Sequence, residues 1–202
     1  MIVIGIVGLI SSGKSTVGKI LEFNGYRVLS LDQMSHEVYL KGSDAYQEII
    51  NEWGEDILGD DEEISRASLS EKVFIDDEKE VLKLENIVWP ILINNLKKEL
   101  SKFKDEDLVF IEGAKILNSD FVKYCDKIWC VISSIENIKN RIFLSNQDHN
   151  NLLERLKSQI NEYTYLTVID EFIENNSTRK DINNNVKLLL EKTRKEYFND
   201  SK

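Results

Sequence analysis

The sequence is poor in the residues and segments that mark several large protein classes. Its 202 residues include one proline and two cysteines, and no apolar run approaches the roughly 20 residues of a membrane span. The chain enters its first apolar segment without a basic region before it, so we expect neither a signal peptide nor a membrane anchor. Cys125 and Cys130 come with no further ligands at metal or redox spacing. We therefore expect two reduced, partly buried thiols in a cytoplasmic protein.

Positive charge is also scarce, and the deficit is local. The net charge is -10, and residues 52–80 alone hold twelve acidic and three basic side chains. Contacts to a nucleic-acid backbone need a basic surface, so we do not expect a nucleic-acid partner. We interpret the acidic segment as a solvated surface. A small anionic substrate is compatible with this acidic segment where nearby lysines and arginines offset its negative charge.

The sequence does contain a phosphate-binding loop. Residues 8–15 read GLISSGKS and fit the pattern G-x-x-x-x-G-K-[ST]. The apolar run Ile2–Val7 precedes the loop and a helix-like segment follows it, as the motif requires. In such a loop, backbone N–H groups and a helix N-terminus surround an anion. This predicts binding of a nucleoside triphosphate, with Lys14 reaching its β and γ phosphates and the Ser15 hydroxyl holding Mg²⁺. The predicted triphosphate contacts are Gly8, Ser11, Ser12, Gly13, Lys14, Ser15 and Thr16.

Strand-like and helix-like segments alternate along the chain. Further strands are predicted at residues 26–31, 107–112, 127–132 and 171–174. Strands separated by helices imply a parallel sheet with helices on both faces. The sequence therefore predicts an α/β, three-layer P-loop NTPase fold with a five-stranded parallel sheet, forming one domain over residues 1–202.

Two regions elaborate this predicted domain. Residues 33–104 read as an inserted helical region, with helix starts at Ser43–Asp44, Ser65–Ser68 and Asp76–Asp77 and with Pro90 bending or restarting the last helix. Residues of approximately 141–160 read as a short lid. Around it, Ser133-x-x-Glu136 predicts a capping box, residues 145–151 a polar break that holds His149, and Asp181 the start of a closing helix.

Two carboxylates fall at the carboxyl edge of the predicted sheet, where ligands of such sheets bind. Phosphoryl transfer needs charge neutralisation and a carboxylate that orients or deprotonates the attacking hydroxyl. Asp32, after the second strand, suits the catalytic role together with Lys14. Glu112, which ends the third strand, suits a role with Mg²⁺ through water or with the acceptor. Alternatively, either acid only caps the next helix. Arg141 is either a lid cation over the triphosphate or a surface arginine.

Several short motifs recur in a fixed order along nearly the whole chain. The segments are Ser30-Leu31-Asp32, Trp53-Gly54-Glu55-Asp56-Ile57-Leu58, Arg66-Ala67-Ser68-Leu69, Val73-Phe74, Trp89-Pro90, Arg155 to Gln159, and Ile173-Glu174-Asn175. Their order and spacing resemble the dephospho-CoA kinase family. The resemblance implies ATP-dependent phosphorylation of the ribose 3′-hydroxyl of dephospho-CoA, the last step of coenzyme A synthesis. It implies that Asp32 is the catalytic carboxylate and that the inserted helical region binds the acceptor. By family position, it also implies Asn175 as an ATP contact and His36 and Gln159 as acceptor contacts.

The chain departs from the family pattern mainly on the acceptor side. The departures are Ser30 for an aspartate, Trp89 for a histidine, Lys115 and Asn118 in the segment after Glu112, and Ser145 for a second lid arginine. They leave two alternatives to a dephospho-CoA kinase. One is a P-loop kinase of another small acceptor, such as a nucleoside or deoxynucleoside monophosphate, in which Lys115 beside Glu112 reads the acceptor phosphate. The other is a nucleotide-binding regulator without turnover, against which Lys14, Ser15 and Asp32 argue.

Overall fold

The computed structural model describes residues 1–73, 78–105, 107–145, 148–162 and 168–198. The chain forms two compact units. The sheet unit comprises residues 1–29 and 103–202, and the helical unit comprises residues 30–102. None of the helices in the described ranges is long and apolar enough to cross a membrane.

Five parallel strands confirm the predicted sheet. They are β1 Ile2–Val7, β2 Arg27–Ser30, β3 Leu108–Glu112, β4 Lys127–Ile132 and β5 Glu171–Glu174, in the order β2-β3-β1-β4-β5. The central strand β1 places Ile6 opposite Glu112 on β3 and opposite Trp129 on β4. The near-continuous apolar sequence of β1 and β4 is typical of strands buried on both faces. The phosphate loop thus leaves the middle of the sheet.

The described part of the sheet unit contains four α-helices: α1 Lys14–Phe23, α6 Ile135–Phe143, α7 His149–Glu162 and α8 Arg179–Phe198. The main apolar core joins α1 and α8 to the strands, and its fully buried Phe110 and Trp129 rings lie 5.4 Å apart. A second, smaller cluster joins α6 and α7 to the phosphate loop. It packs Leu9 and Ile10 against Ile138, Ile142, Leu152 and Leu156. The loop is therefore anchored by its own apolar side chains.

The helical unit contains α2 Leu31–Val38, α3 Tyr46–Trp53, α4 Arg66–Val73 and α5 Glu78–Leu100, with a short 3₁₀ helix at Glu55–Ile57. The long helix α5 packs against α2, α3 and α4. Trp53 is buried and donates its Nε1–H to Glu80 at 3.0 Å, which links α3 to α5. No strand lies between residues 33 and 103 in the described part of this segment.

Pro90 does not restart a helix, contrary to that part of the prediction, because α5 runs through it. A proline removes one intrahelical hydrogen bond. Val88, Leu92 and Leu96 are buried on either side of Pro90, and burial of such side chains contributes about 1.5–3 kcal/mol each. The stabilisation from burying these three side chains therefore exceeds the cost of the hydrogen bond lost at Pro90. The predicted start at Asp76–Asp77, and Phe74 of the family motif, lie outside the described residues.

Three predicted helix starts in the sheet unit shift by a few residues, each because of a different cap. Ser134, not Ser133, caps α6 and accepts from the Asn137 N–H at 3.2 Å. The helix α7 begins inside the expected polar break, because Asp148 accepts from the N–H groups of Asn150 and Asn151 at 3.0 and 3.3 Å. His149 therefore opens a helix rather than lying in a loop.

The last helix also begins at a different residue from the one predicted. The helix α8 begins at Arg179 rather than Asp181, since Thr178 and Asp181 exchange side-chain and backbone hydrogen bonds as a capping pair.

Both cysteines are free, as expected. Burial raises the pKa of Cys125 to about 12 and that of Cys130 to about 11. Both are therefore neutral thiols at physiological pH.

Candidate active site

The backbone of the phosphate loop explains both motif glycines. Gly8 has φ +150° and Gly13 has φ +108°, in the region that favours glycine. A Cβ on Gly13 would lie 2.0 Å from Nδ2 of Asn175, and one on Gly8 would lie 2.5 Å from the Val131 carbonyl oxygen. Ser11 also has positive φ, at +56°. Such alternating backbone turns point successive N–H groups at one anion.

Lys14 lies at the centre of the loop. It is 9% exposed, and its Nζ donates to the carbonyl oxygens of Gly8 at 2.9 Å and Leu9 at 3.1 Å. These carbonyls compensate the burial of the ammonium group. A pocket of about 270 Å³ opens beside it, lined by Ser11, Gly13, Lys14, Ser15, Thr16 and Arg141. The first turn of α1 has no side-chain cap in the described structure, so its leading N–H groups suit a phosphate.

Ser15 and Glu112 meet at the edge of this pocket. The Ser15 hydroxyl donates to Oε1 of Glu112 at 2.7 Å. Glu112 therefore does not act as a helix cap, and the 3₁₀ helix that follows at Asp120–Tyr124 is capped by Ser119 instead. A hydroxyl and a carboxylate oxygen are ligands that Mg²⁺ accepts.

Arg141 is not a surface arginine. From α6 its Nη1 donates to the carbonyl oxygens of Ser11 at 3.1 Å and Ser12 at 3.0 Å, and its Nη2 donates to the carbonyl of Asn175 at 2.6 Å. Burial lowers the pKa of the guanidinium, which stays charged at any physiological pH. Arg141 thus lines the pocket and fixes two loop peptides together.

Ser12, Gly8 and Asn175 support the loop without lining the pocket. The Asn175 Nδ2 donates to the Ser12 carbonyl at 2.7 Å, and the Ser12 N–H donates to Leu9 at 3.1 Å. The Ser12 side chain is 1% exposed, and its hydroxyl has no partner within the described ranges. The geometry therefore favours supporting roles over the direct nucleotide contacts that the sequence predicts for these three residues.

Gln159 and Lys115, both predicted as acceptor contacts, lie at different places in the sheet unit. Gln159 on α7 accepts a hydrogen bond from the Ile10 N–H at 2.7 Å, so its amide oxygen is engaged by the phosphate loop. Lys115 is exposed three residues beyond the end of β3. Its carbonyl accepts from the Ser119 hydroxyl at 2.6 Å, which fixes the backbone there.

In the helical unit, Asp32 and His36 lie one turn apart on α2 and both are exposed. Ser30 caps this helix by accepting from the Gln33 N–H at 3.4 Å, so Asp32 is not the cap. Desolvation and the positive charge of Arg66 lower the pKa of His36, whereas Asp32 raises it. Asp32 and His36 therefore share one electrostatic environment with Arg66.

Sequence reasoning assigned no role to Arg66. It is the first residue of α4, where a cation opposes the helix dipole. Helix stability therefore does not account for an arginine at this position. Its occurrence in the Arg-x-x-Leu segment was the available signal, but only the structure couples its charge to Asp32 and His36.

Comparisons with known proteins agree on one family. A family model described as dephospho-CoA kinase matches residues 2–181. A dephospho-CoA kinase from Fusobacterium nucleatum is 36% identical over 183 residues, which cover 90% of this chain and 93% of the relative. The crystal structure of TT1252 from Thermus thermophilus matches with a TM-score of 0.79 at 26% identity, covering 95% of this chain and 97% of that one. The structure of dephospho-CoA kinase from Campylobacter jejuni shares the fold, with a TM-score of 0.72 at 20% identity over 96% and 98% of the two chains.

Proposed function

The chain belongs to the dephospho-CoA kinase family, and from that premise we propose how its own residues divide the reaction between them. The protein is an ATP-dependent kinase that phosphorylates dephospho-CoA in coenzyme A biosynthesis. Family membership decides against a regulator without turnover and against a nucleoside monophosphate as the main acceptor. The hydrogen-bonded arrangement of Lys14, Ser15 and Arg141 around one pocket is the observation that carries the assignment of roles.

On the nucleotide side, the loop binds the phosphates of ATP. The leading N–H groups of α1 and the Lys14 ammonium neutralise charge on the transferred phosphoryl group, and Lys14 is catalytic in this sense. Ser11, Gly13 and Thr16 line the same pocket and contact the phosphates. The Arg141 guanidinium adds a positive charge beside them, while Asn175 and Gly8 support the loop.

Mg²⁺ suits the pair formed by Ser15 and Glu112. In the described residues no three acidic, histidine or cysteine side chains form a metal cluster. Mg²⁺ typically takes one or two carboxylates together with substrate phosphates, so one hydroxyl and one carboxylate fit it. Bound there, it would neutralise charge on the phosphates during transfer. We expect Ser15 to ligate it directly and Glu112 to act through a water molecule or on the acceptor.

On the acceptor side, the inserted helical region over residues 33–104 contributes to binding of the acceptor. Asp32 accepts the proton of the attacking ribose 3′-hydroxyl and orients its oxygen toward the phosphorus. His36 and Lys115 are expected as acceptor contacts, whereas the amide oxygen of Gln159 is engaged by the phosphate loop. Asp32 lies exposed in the first turn of α2. An exposed carboxylate is accessible to an incoming hydroxyl, as a general base must be.

The function is tested by phosphate transfer from ATP and Mg²⁺ with purified protein and product identification by mass. Dephospho-CoA is offered beside a panel of nucleoside and deoxynucleoside monophosphates. We expect coenzyme A as the product, with transfer to the panel at least about a hundredfold slower, as for a site built to recognise polar groups. Preferential transfer to a nucleotide would contradict the assignment and make Lys115 and Asn118 the residues to exchange first.

A further inference from the structure

One peptide of the phosphate loop is bound on both of its sides. The Leu9 carbonyl and the Ile10 N–H belong to the same planar unit. Its N–H donates to Oε1 of Gln159 at 2.7 Å. Its carbonyl oxygen accepts from Nζ of Lys14 at 3.1 Å and from the Ser12 N–H at 3.1 Å. Because the unit is planar, the direction of the Ile10 N–H also sets the direction of the carbonyl that holds Lys14.

Gln159 is placed to control this peptide from outside the loop. It lies 149 residues away in sequence, on α7, and is half-buried. The apolar side chains of Leu9 and Ile10 pack between α6 and α7, in the cluster built on Ile138 and Leu156. This packing holds the position of the segment. It does not fix the rotation of the peptide plane, which depends on the hydrogen bonds.

We propose that Gln159 is a positioning residue for Lys14, acting through the Leu9–Ile10 peptide; the proposal rests on the proposed kinase function. It revises the expectation that Gln159 contacts the acceptor. When the Gln159 oxygen is present, the peptide keeps its carbonyl toward the lysine side chain. Without that oxygen, the partly buried Ile10 N–H is unsatisfied and the peptide turns to find another partner. Lys14 then loses one of the carbonyls that orient it.

Two substitutions separate positioning from acceptor binding. Gln159→Met removes the acceptor oxygen at nearly the same length, whereas Gln159→Glu keeps an oxygen for the Ile10 N–H and removes the amide donors. We expect Gln159→Met to lower kcat about tenfold, with the KM for dephospho-CoA within about twofold of the wild type. Gln159→Glu should restore most of kcat. Lys157→Met, an exposed position on the same helix, is the matched control and should leave turnover unchanged.

Hydrogen exchange provides a second readout that needs no substrate. In the ligand-free protein the Ile10 amide should be protected in the wild type and in Gln159→Glu, and should exchange at least about tenfold faster in Gln159→Met. Equal protection in all three proteins would overturn the proposal. So would unchanged kcat in Gln159→Met, or a raised KM for dephospho-CoA in both variants with kcat intact.

These outcomes are distinct from a failure of the proposed function. If dephospho-CoA were the wrong acceptor, the wild type itself would form no coenzyme A. The exchange rate of the Ile10 amide would still differ between Gln159→Met and Gln159→Glu if the positioning role is correct, because it is measured without any acceptor.

Discussion

The two units hold their candidate functional groups in different ways. In the sheet unit, the polar side chains of Lys14, Arg141 and Asn175 all donate to backbone carbonyls of the phosphate loop. In the helical unit, Asp32 and His36 are exposed on α2, and their coupling to Arg66 is electrostatic. The nucleotide side is therefore preorganised, which lowers the reorganisation needed in the transition state. The acceptor-side carboxylate stays open to solvent and to an incoming hydroxyl.

The strongest test of the preorganised side is Lys14→Ala. Loss of the ammonium should reduce kcat by about 10²–10³-fold, because the transferred charge loses a partner held in place before the reaction. Turnover assays with saturating substrates measure the effect. Lys19→Ala changes an exposed lysine on the same helix and should stay within about twofold of the wild type. Near-normal turnover of Lys14→Ala would refute the role assigned to the loop.

The corresponding test of the helical unit, whose candidate carboxylate is exposed to solvent, is Asp32→Asn. We expect kcat to fall about 10²-fold or more, since the amide cannot accept the hydroxyl proton, with the KM for ATP little changed. Glu37→Gln, exposed on the same helix α2, is the matched control for loss of one negative charge. A variant that lost only ATP affinity would identify Asp32 as a structural or metal-binding group, and the contrast between the units would fail.

The contrast between the units also marks what the sequence could predict. A local sequence pattern predicts the loop glycines, Lys14 and Ser15, because they lie within eight consecutive residues. Contacts of Arg141 and Asn175 with Ser12 join positions 129 and 163 residues apart. No local pattern encodes them, and only the packed sheet brings them together. Asp32 was found because it follows a strand, whereas the coupling to Arg66 depends on how α2 and α4 pack against α5.

Errors at helix ends have mixed origins, because local caps set the starts of α7 and α8 whereas a long-range contact shifts that of α6. Ser133 and Ser134 are both good capping residues, and Glu136 favoured Ser133 as the start of a capping box. Ser133 instead donates to the Asn175 carbonyl at 2.9 Å, which leaves Ser134 to cap α6. The helix α5 likewise continues through Pro90 because of tertiary packing, although proline disfavours the interior of a helix. Local patterns thus predicted which elements exist, whereas competing local caps and long-range partners decided where they begin.

A finer test of the sheet unit compares two neighbouring asparagines. Asn175→Asp removes the donor to the Ser12 carbonyl and places an acceptor against it, so ATP affinity should fall about tenfold. Asn176→Asp adds the same charge but keeps the oxygen that accepts from the Ser134 N–H at 2.7 Å, so its effect should be clearly smaller. Titration of ATP binding by calorimetry measures both. Equal losses would mean that added charge, and not the lost donor, weakens binding.

The smallest expected effect belongs to the helical unit and is a pH dependence. The pKa of His36 is lowered from its ordinary value of 6.5, with desolvation the largest cause and Arg66 the second. As pH falls below 6.5, the unfolded chain binds this proton more readily than the folded one, so stability should decrease until the folded pKa is reached. Urea midpoints at pH 7.5, 6.5 and 5.5 should therefore fall slightly more in the wild type than in His36→Gln.

His149→Gln gives the matched measurement for the histidine of the sheet unit, because the sequence holds two histidines in all. If His36→Gln and the wild type lose stability in parallel on acidification, the pKa of His36 is not lowered in the folded protein. A difference that becomes smaller in an Arg66→Gln background would instead place the positive charge of Arg66 next to His36 and Asp32 in the folded protein. Such a positive charge attracts an anionic acceptor. The helical unit would then attract its substrate through the charge of Arg66, whereas the sheet unit holds its phosphate loop in place through hydrogen bonds.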